Sequence, residues 1–353
     1  MSDIHDLSRP LADAVRGAHA ARTPLRIVGG GTKASRSRPV TGAVLDLRPH
    51  RGIVHYEPTE LVLTARAGTP LAEIESALDA HGQMLAFEPP HFGAAATLGG
   101  TIACGLSGPR RPYAGAARDF VLGTRIINGR GEVLRFGGEV MKNVAGYDVS
   151  RLMTGAFGTL GVLLEVSLKV LPKPRAQITL AQEATAADAI RLANAWAGTP
   201  LPLSAVCHDG ARLYARLSGA EEALAVARAR IGGETIEHAA DFWRGLREQS
   251  LPFFRNVTSL WRLSVAPASA PIGLPGEWLL DWGGAQRWLK SDASPEAIRA
   301  AAEQAGGHAT CHNRHHGTTF HPLQPAQLAL HRRIKDAFDP ARILNPGALY
   351  PDI

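Results

Sequence analysis

Three clusters of small residues in the first half of the chain have the composition of phosphate-binding loops. Residues 29–32 read GGGT, residues 97–101 read TLGGT with Gly105 and Gly108 beyond, and residues 155–161 read GAFGTLG. Each adjoins a β-type run and each contains a threonine. Successive backbone N–H groups in glycine turns form an anion-binding concavity, to which threonine hydroxyls add donors. One glycine loop is weak evidence, because turns use glycine freely; three of them read as one extended, diphosphate-containing ligand. Gly29, Gly31 and Ala34 also fit the dinucleotide fingerprint, with Asp46 at the ribose spacing. That fingerprint needs a helix opening at the glycines. The next segment, TKASRSRPVTGA, has no apolar residues at helical spacing and contains Pro39, so it reads as a loop.

A second reservoir of chemistry is HATCHNRHHGTTFHP, which holds His308, His312, His315, His316 and His321 beside Arg314. Arg314 could clamp a carboxylate through two parallel bonds, and His312 or His315 could act as an acid–base group. The cluster contains no carboxylate, so no metal is expected there. A solvated loop or a subunit contact is the competing reading, and the catalytic residues stay unassigned beyond the candidates His312, Arg314 and His315.

With 353 residues, 45% hydrophobic and 20% charged, the chain has the balance of a globular enzyme of two or three domains. Its net charge of +6 is carried by scattered basic residues, and aromatics are only 6%, which argues against nucleic acid. Weak attraction to anionic lipid or to an acidic partner subunit fits better. Cys104, Cys207 and Cys311 supply no disulfide framework, zinc site or iron–sulfur cluster. The start, MSDIHDLSRPLADAV, lacks a basic-then-apolar signal, and GVLLEVSLKVLP is too short to span a bilayer. The expected location is the cytoplasm, with peripheral contact at the inner membrane left open.

These residues must be positioned by a mixed α and β chain. A helix is expected over 7–20, with strands at LRIV, AVLDL and LVLTARAG. Thr69 and Pro70 read as the N-cap and first residue of a helix that carries Leu71, Ile74 and Leu78 on one face. FVLGTRIIN and EVLRF form a hairpin through GRG. A short helix over 147–153 precedes the long strand GVLLEVSLKVLPKP. Beyond Pro174 the order strand, helix, hairpin, helix is that of a ferredoxin-like cap. Thr185 caps its first helix, and Ser218 with Glu221 forms a capping box for the second. WRLSVA and EWLLDWGGAQRWLK add strands, and Ser294-Pro295 opens another helix. The tail helix, 324–338, sets Leu330, Ile334 and Phe338 on one face. The domains are then 1–174, 175–322 and a C-terminal segment, 323–353, that returns to the first.

RIVGGGTK, ATLGGTIACGLSG and KNVAGYDVSRLMTGAFGTLGVLLEVSLKVLPKP resemble the FAD-binding domain of the vanillyl-alcohol oxidase / p-cresol methylhydroxylase (PCMH) superfamily. FDPARILNPGALY resembles the end of its 2-hydroxyacid-oxidising branch, and KNVAGYD with a short cap is most similar to the E-subunit line of bacterial glycolate oxidases. The resemblance implies an α+β fold: a two-subdomain FAD-binding domain of PCMH type with a short ferredoxin-like cap. It implies that Gly29, Gly30, Gly31, Thr32 and Lys33 surround the FAD diphosphate. Thr97, Leu98, Gly99, Gly100 and Thr101 would line the diphosphate and flavin side, continued by Gly105, Ser107 and Gly108. Gly158, Gly161 and Val162 would pack on the adenine and ribose end, and Asn345 would approach the isoalloxazine. Pro90-His91 stands where relatives commonly carry an acidic residue. The attachment motif for a covalent flavin is absent, so FAD is expected to be non-covalent.

The implied function is that of an FAD-binding subunit in a complex oxidising glycolate to glyoxylate. Its partners would be a larger FAD-binding paralogous subunit and an iron–sulfur subunit that takes the electrons. Two other readings stand beside it: a self-sufficient FAD-dependent 2-hydroxyacid dehydrogenase, and a non-catalytic flavin-carrying subunit.

Overall fold

Residues 6–138, 148–312 and 319–353 are described by the computed structural model of the chain. Their contacts divide into two units. The first comprises the chain up to Leu106, Ala116–Pro172 and Pro322–Ile353; the second comprises Ser107–Gly115 and Lys173–His321.

In the first unit, α1 (Ser8–Ala21) buries Leu11, Ala12, Val15 and Ala18, one helical stripe, and ends at Arg22 in the left-handed region. β1 (Leu25–Val28) and β2 (Ala43–Asp46) pair in parallel. A separate antiparallel sheet contains β3 (Ile53–Glu57), β4 (Val62–Arg66), β5 (Val121–Ile127), β6 (Val133–Gly137) and β7 (Val162–Lys169), in the order β3-β4-β7-β5-β6. All of β4 is buried. Val62, Leu63, Thr64, Ala65 and Arg66 accordingly show no alternation of buried and exposed positions, and the Thr64 hydroxyl meets that of Ser167 at 2.8 Å. α2 (Leu71–Asp79) buries Leu71, Ile74 and Leu78 as its periodicity predicts. Its N-cap, however, is Pro70. The Thr69 hydroxyl instead pairs with the backbone of Gly52, accepting from its N–H at 2.9 Å. α3 (Leu98–Cys104) begins at the second glycine cluster. A one-turn helix spans Val149–Leu152, while the expected start at Tyr147 lies outside the described residues.

The second unit opens with β8 (Ala176–Glu183), α4 (Ala186–Ala197), β9 (Leu203–His208), β10 (Arg212–Gly219), α5 (Glu221–Ile231) and β11 (Glu234–Thr235). Their spatial order, β11-β8-β10-β9, is ferredoxin-like. After α6 (Ala239–Arg247), the strands β12 (Leu260–Ser264), β13 (Glu277–Asp281), β14 (Gln286–Lys290) and β15 (His308–Cys311) widen the sheet to eight strands. Helix α7 (Pro295–Gln304) precedes the last of them. Thr185 and Ser294 cap α4 and α7 through Asp188 N–H and Ala297 N–H. The Ser218–Glu221 box does not form. β10 runs through Gly219, the N-cap falls on Ala220, and the Ser218 hydroxyl bonds Ser204 at 2.7 Å.

The chain ends in the first unit with α8 (Pro325–Phe338). Its inward residue is Lys335 (1% exposed), whereas Leu330 of the expected apolar face is 53% exposed. Residues 343–345 then run beside β1: Leu25 N–H donates to Ile343 O at 2.7 Å, and Asn345 N–H to Leu25 O at 3.0 Å.

Candidate functional site

The loop after β1 is shaped from both sides. A Cβ on Gly30 would lie 1.5 Å from the Ala95 carbonyl oxygen, and one on Gly29 would lie 2.5 Å from Thr97 Oγ1. These glycines are therefore required by the segment laid against them. Gly31 differs: its φ is +72°, and the space beside it is open. The N–H groups of residues 29–32 make no hydrogen bond to any described residue. Adjacent open donors of this kind form an anion nest. Next to them Lys33 is buried, its ammonium donating to His91 O at 3.3 Å. Asp46, the residue at ribose spacing, is paired with Arg48 at 2.6 Å, and only a short 3₁₀ turn (Ala34–Arg36) follows the glycines.

The second cluster is built differently. Leu98 N–H donates to Thr69 O, Gly99 N–H to Ala67 O, and Gly100 N–H to the Thr97 hydroxyl that caps α3. Thr101 is fully buried, with its N–H on Thr97 O. The N–H groups of residues 98–101 are thus engaged inside the protein, whereas the Thr97 N–H and the buried Thr101 hydroxyl make no hydrogen bond among the described residues. A Cβ on Gly99 would lie 2.7 Å from the Cβ of Ala67, which explains that glycine by packing alone.

Asn345 knits the third cluster to the first. Its Oδ1 accepts from Ile27 N–H at 2.8 Å and its Nδ2 donates to Phe157 O at 2.7 Å. Gly158, at φ +72°, leaves room for that amide: a Cβ there would sit 2.7 Å from Nδ2. Gly105 is likewise pressed against Gly155, at 3.1 Å. Gly161 packs against Ile126, and Val162 is core. Behind this segment Lys335 donates to Thr159 O (2.7 Å), Leu344 O (2.8 Å) and Asp339 (2.8 Å), while Asp339 accepts from Ile343 and Leu344 N–H. Ser107 and Gly108 belong to the second unit, where Gly108 O accepts from the Trp282 indole at 3.0 Å.

In the second unit Arg314 and His315 lie outside the described residues. The His312 ring stands edge-on to Trp288 at 4.8 Å, and His321 pairs with Glu303 at 2.9 Å. Sequence reasoning missed a stronger group. Arg262 sits at the centre of β12, one strand in from the sheet edge, in register with Trp288 and Thr310. Its guanidinium lies 5.9 Å from the Trp282 ring, and Arg111 lies 4.4 Å from the same ring. Burial, reinforced by Arg111, lowers its pKa to about 10, so it stays charged at neutral pH. Arg262 has no hydrogen bond or ion pair among the described residues. A charged group so placed favours a ligand anion. Its only sequence signal was the alternation in LWRLS, which reads equally well as a solvent face.

Two family comparisons cover the ends of the chain: the FAD binding domain family matches residues 9–137, and the FAD linked oxidases' C-terminal domain matches residues 296–349. The chain is 53% identical over 349 residues, 99% of both chains, to the glycolate oxidase subunit GlcE of Escherichia coli. It is 32% identical to the glycolate oxidase subunit GlcD of Bacillus subtilis over 45% of this chain and 34% of that one. To a D-lactate dehydrogenase of Anaerostipes hadrus it is 33% identical over 39% of this chain and 29% of that one. Among solved structures, an alkyldihydroxyacetonephosphate synthase superposes with a TM-score of 0.68 at 16% identity, covering 97% of this chain and 74% of that one, a likeness of fold.

Proposed function

The chain belongs to the FAD-linked oxidase family, in the line of the glycolate oxidase E subunit, and on that premise we propose that it is the FAD-binding subunit of a complex oxidising glycolate to glyoxylate. The observation that carries this reading is the end-to-end likeness, FAD unit and cap together, to a relative named as a glycolate oxidase subunit. The residues present fit the cofactor: residues 29–32 offer open N–H donors, and Lys33 adds a buried cation. Gly29, Gly30, Gly31, Thr32 and Lys33 would hold the diphosphate. The segment 97–101 and Asn345 keep that loop in shape. When bound, FAD supplies the acceptor for the hydride leaving the hydroxyl-bearing carbon. Binding is non-covalent in this reading; His91, the residue nearest in type to an attachment point, has its ring on Glu75 at 3.0 Å.

The electrons would leave to an iron–sulfur subunit, beside a larger FAD-binding paralogue, because three cysteines cannot hold a four-thiolate cluster. Among the described residues no helix is long and apolar enough to cross a membrane; a cytoplasmic place with peripheral contact at the inner membrane fits that and the basic charge. Arg262 favours a second reading, in which this chain itself holds a substrate carboxylate and acts as a 2-hydroxyacid dehydrogenase. The test is affinity purification of the tagged chain with mass spectrometry of its companions, followed by anaerobic glycolate. A co-purifying flavoprotein and iron–sulfur protein, with flavin bleaching only in the complex, supports the first reading. Full bleaching of the isolated chain, abolished in Arg262→Gln, replaces it with the second.

A further inference from the structure

The segment facing the first glycine loop holds a bulky residue in an unfavourable backbone. Phe92 has φ +53°, in the left-handed region that L side chains rarely adopt. Such a residue persists only where its surroundings over-determine it, commonly at ligand clamps. Here the fixings are specific. The preceding His91 is tied by its ring to Glu75 on α2 (3.0 Å), and its carbonyl accepts from the Lys33 ammonium (3.3 Å). A Cβ on the following Gly93 would lie 3.3 Å from Thr32 Cγ2, and Gly30 abuts Ala95. Thr32 and Gly30 of the first loop thus pack closely against Gly93 and Ala95 of the second.

Two cations lie over that ring. The Arg36 guanidinium carbon is 4.7 Å from its centroid, and the Lys33 ammonium is 5.9 Å away. Both follow the open N–H groups of residues 29–32 in the chain, and both charges reach the Cys104 thiol, whose ionisation they favour. A guanidinium laid over an aromatic ring keeps its N–H donors in a fixed plane, ready for a phosphate oxygen. We infer that Phe92 is a platform that pre-organises Lys33 and Arg36 for the diphosphate of FAD, and that Arg36 is a second cation of that site. The inference rests on the FAD reading of the chain. It assigns Arg36 a direct bond to phosphate oxygen and Phe92 a positioning role through the two cations.

FAD, FMN and riboflavin titrated into the full chain stripped of flavin, at low and high salt, distinguish the possibilities by affinity alone. Arg36→Gln should weaken FAD about tenfold, the loss of one charge-assisted contact, and flatten the salt dependence while leaving riboflavin unchanged. Phe92→Leu should weaken FAD several-fold, and Phe92→Tyr, which keeps the ring, should restore it. The double variant Arg36→Gln/Phe92→Leu should bind less weakly than the product of the single effects, because Phe92 acts through the cations. Wild-type affinity and salt slope in Arg36→Gln, or strictly multiplicative effects in the double variant, overturn the inference while the FAD reading stands. A wild-type chain with no affinity for FAD sinks both.

Discussion

Lys335→Met removes an ammonium that is 1% exposed and makes three short contacts: Thr159 O at 2.7 Å, Leu344 O at 2.8 Å and Asp339 at 2.8 Å. Burial holds its pKa below the usual lysine value, and Asp339 pulls it back up. Methionine fills much of the volume but leaves the Asp339 carboxylate, itself fully buried, facing no cation. Breaking one side of a buried pair costs about 3–5 kcal/mol. That is a large share of a stability of about 5–15 kcal/mol. At about 2–4 °C per kcal/mol, the unfolding midpoint should drop by roughly 6–20 °C. The double variant Lys335→Met/Asp339→Asn removes the stranded charge, so it should be less destabilised than the sum of the singles by at least about 1 kcal/mol. FAD affinity should fall with Lys335→Met, because the tail that Lys335 anchors carries Asn345 onto Ile27 and Phe157. The assay is thermal and urea unfolding of the full chain with and without FAD. A midpoint within about 3 °C of wild type would show that the pair holds nothing in place.

Replacing Arg262 with leucine should raise the unfolding midpoint, since a half-buried cation with no hydrogen bond or ion pair among the described residues is removed, yet weaken oxalate or glycolate binding by about tenfold or more in calorimetry; unchanged binding would place the carboxylate elsewhere. His50 is fully buried, accepts Leu7 N–H at 3.0 Å, and has its pKa lowered below 6.5, first by burial and also by Arg66, against Asp6 and Glu165. The unfolded histidine takes its proton before the folded one, so stability is lost as pH falls below 6.5 toward the folded value. His50→Asn should flatten that decline, and equal slopes in both proteins would contradict it. Cys104, its thiol pushed up to about 11 chiefly by burial, should resist alkylation in the folded chain at about pH 8; rapid labelling there would mean that the buried environment around α3 is wrong.

Much of the fold was legible because certain residue types are forced by geometry. The glycines at 29 and 30 were legible as a turn that tolerates no side chain, though the sequence assigned the close approach to a ligand and the structure adds one from Thr97 and Ala95. Thr185 and Ser294 announce helix starts because their hydroxyls answer unpaired N–H groups. What escaped was decided by partners distant in sequence. Lys335 is not among the residues the apolar spacing of its helix picks out, and it is buried because Thr159 O, 176 residues away, Leu344 O and Asp339 together take its ammonium. Leu98 and Gly99 looked like donors to a ligand, but Thr69 and Ala67 take their N–H groups. Ser218 looked like a cap, until strand pairing with β8 carried β10 through Gly219. Arg262 was hidden because a strand's alternation cannot say which face meets water.

The central claim is that this chain binds FAD, without a covalent bond, through the loop at residues 29–33. Acid precipitation of the purified chain, with flavin measured in the supernatant and the pellet, tests it most directly. The account predicts FAD in the supernatant at one per chain, falling sharply in Lys33→Met. A purified chain that carries no flavin, or flavin that stays with the pellet, would contradict it.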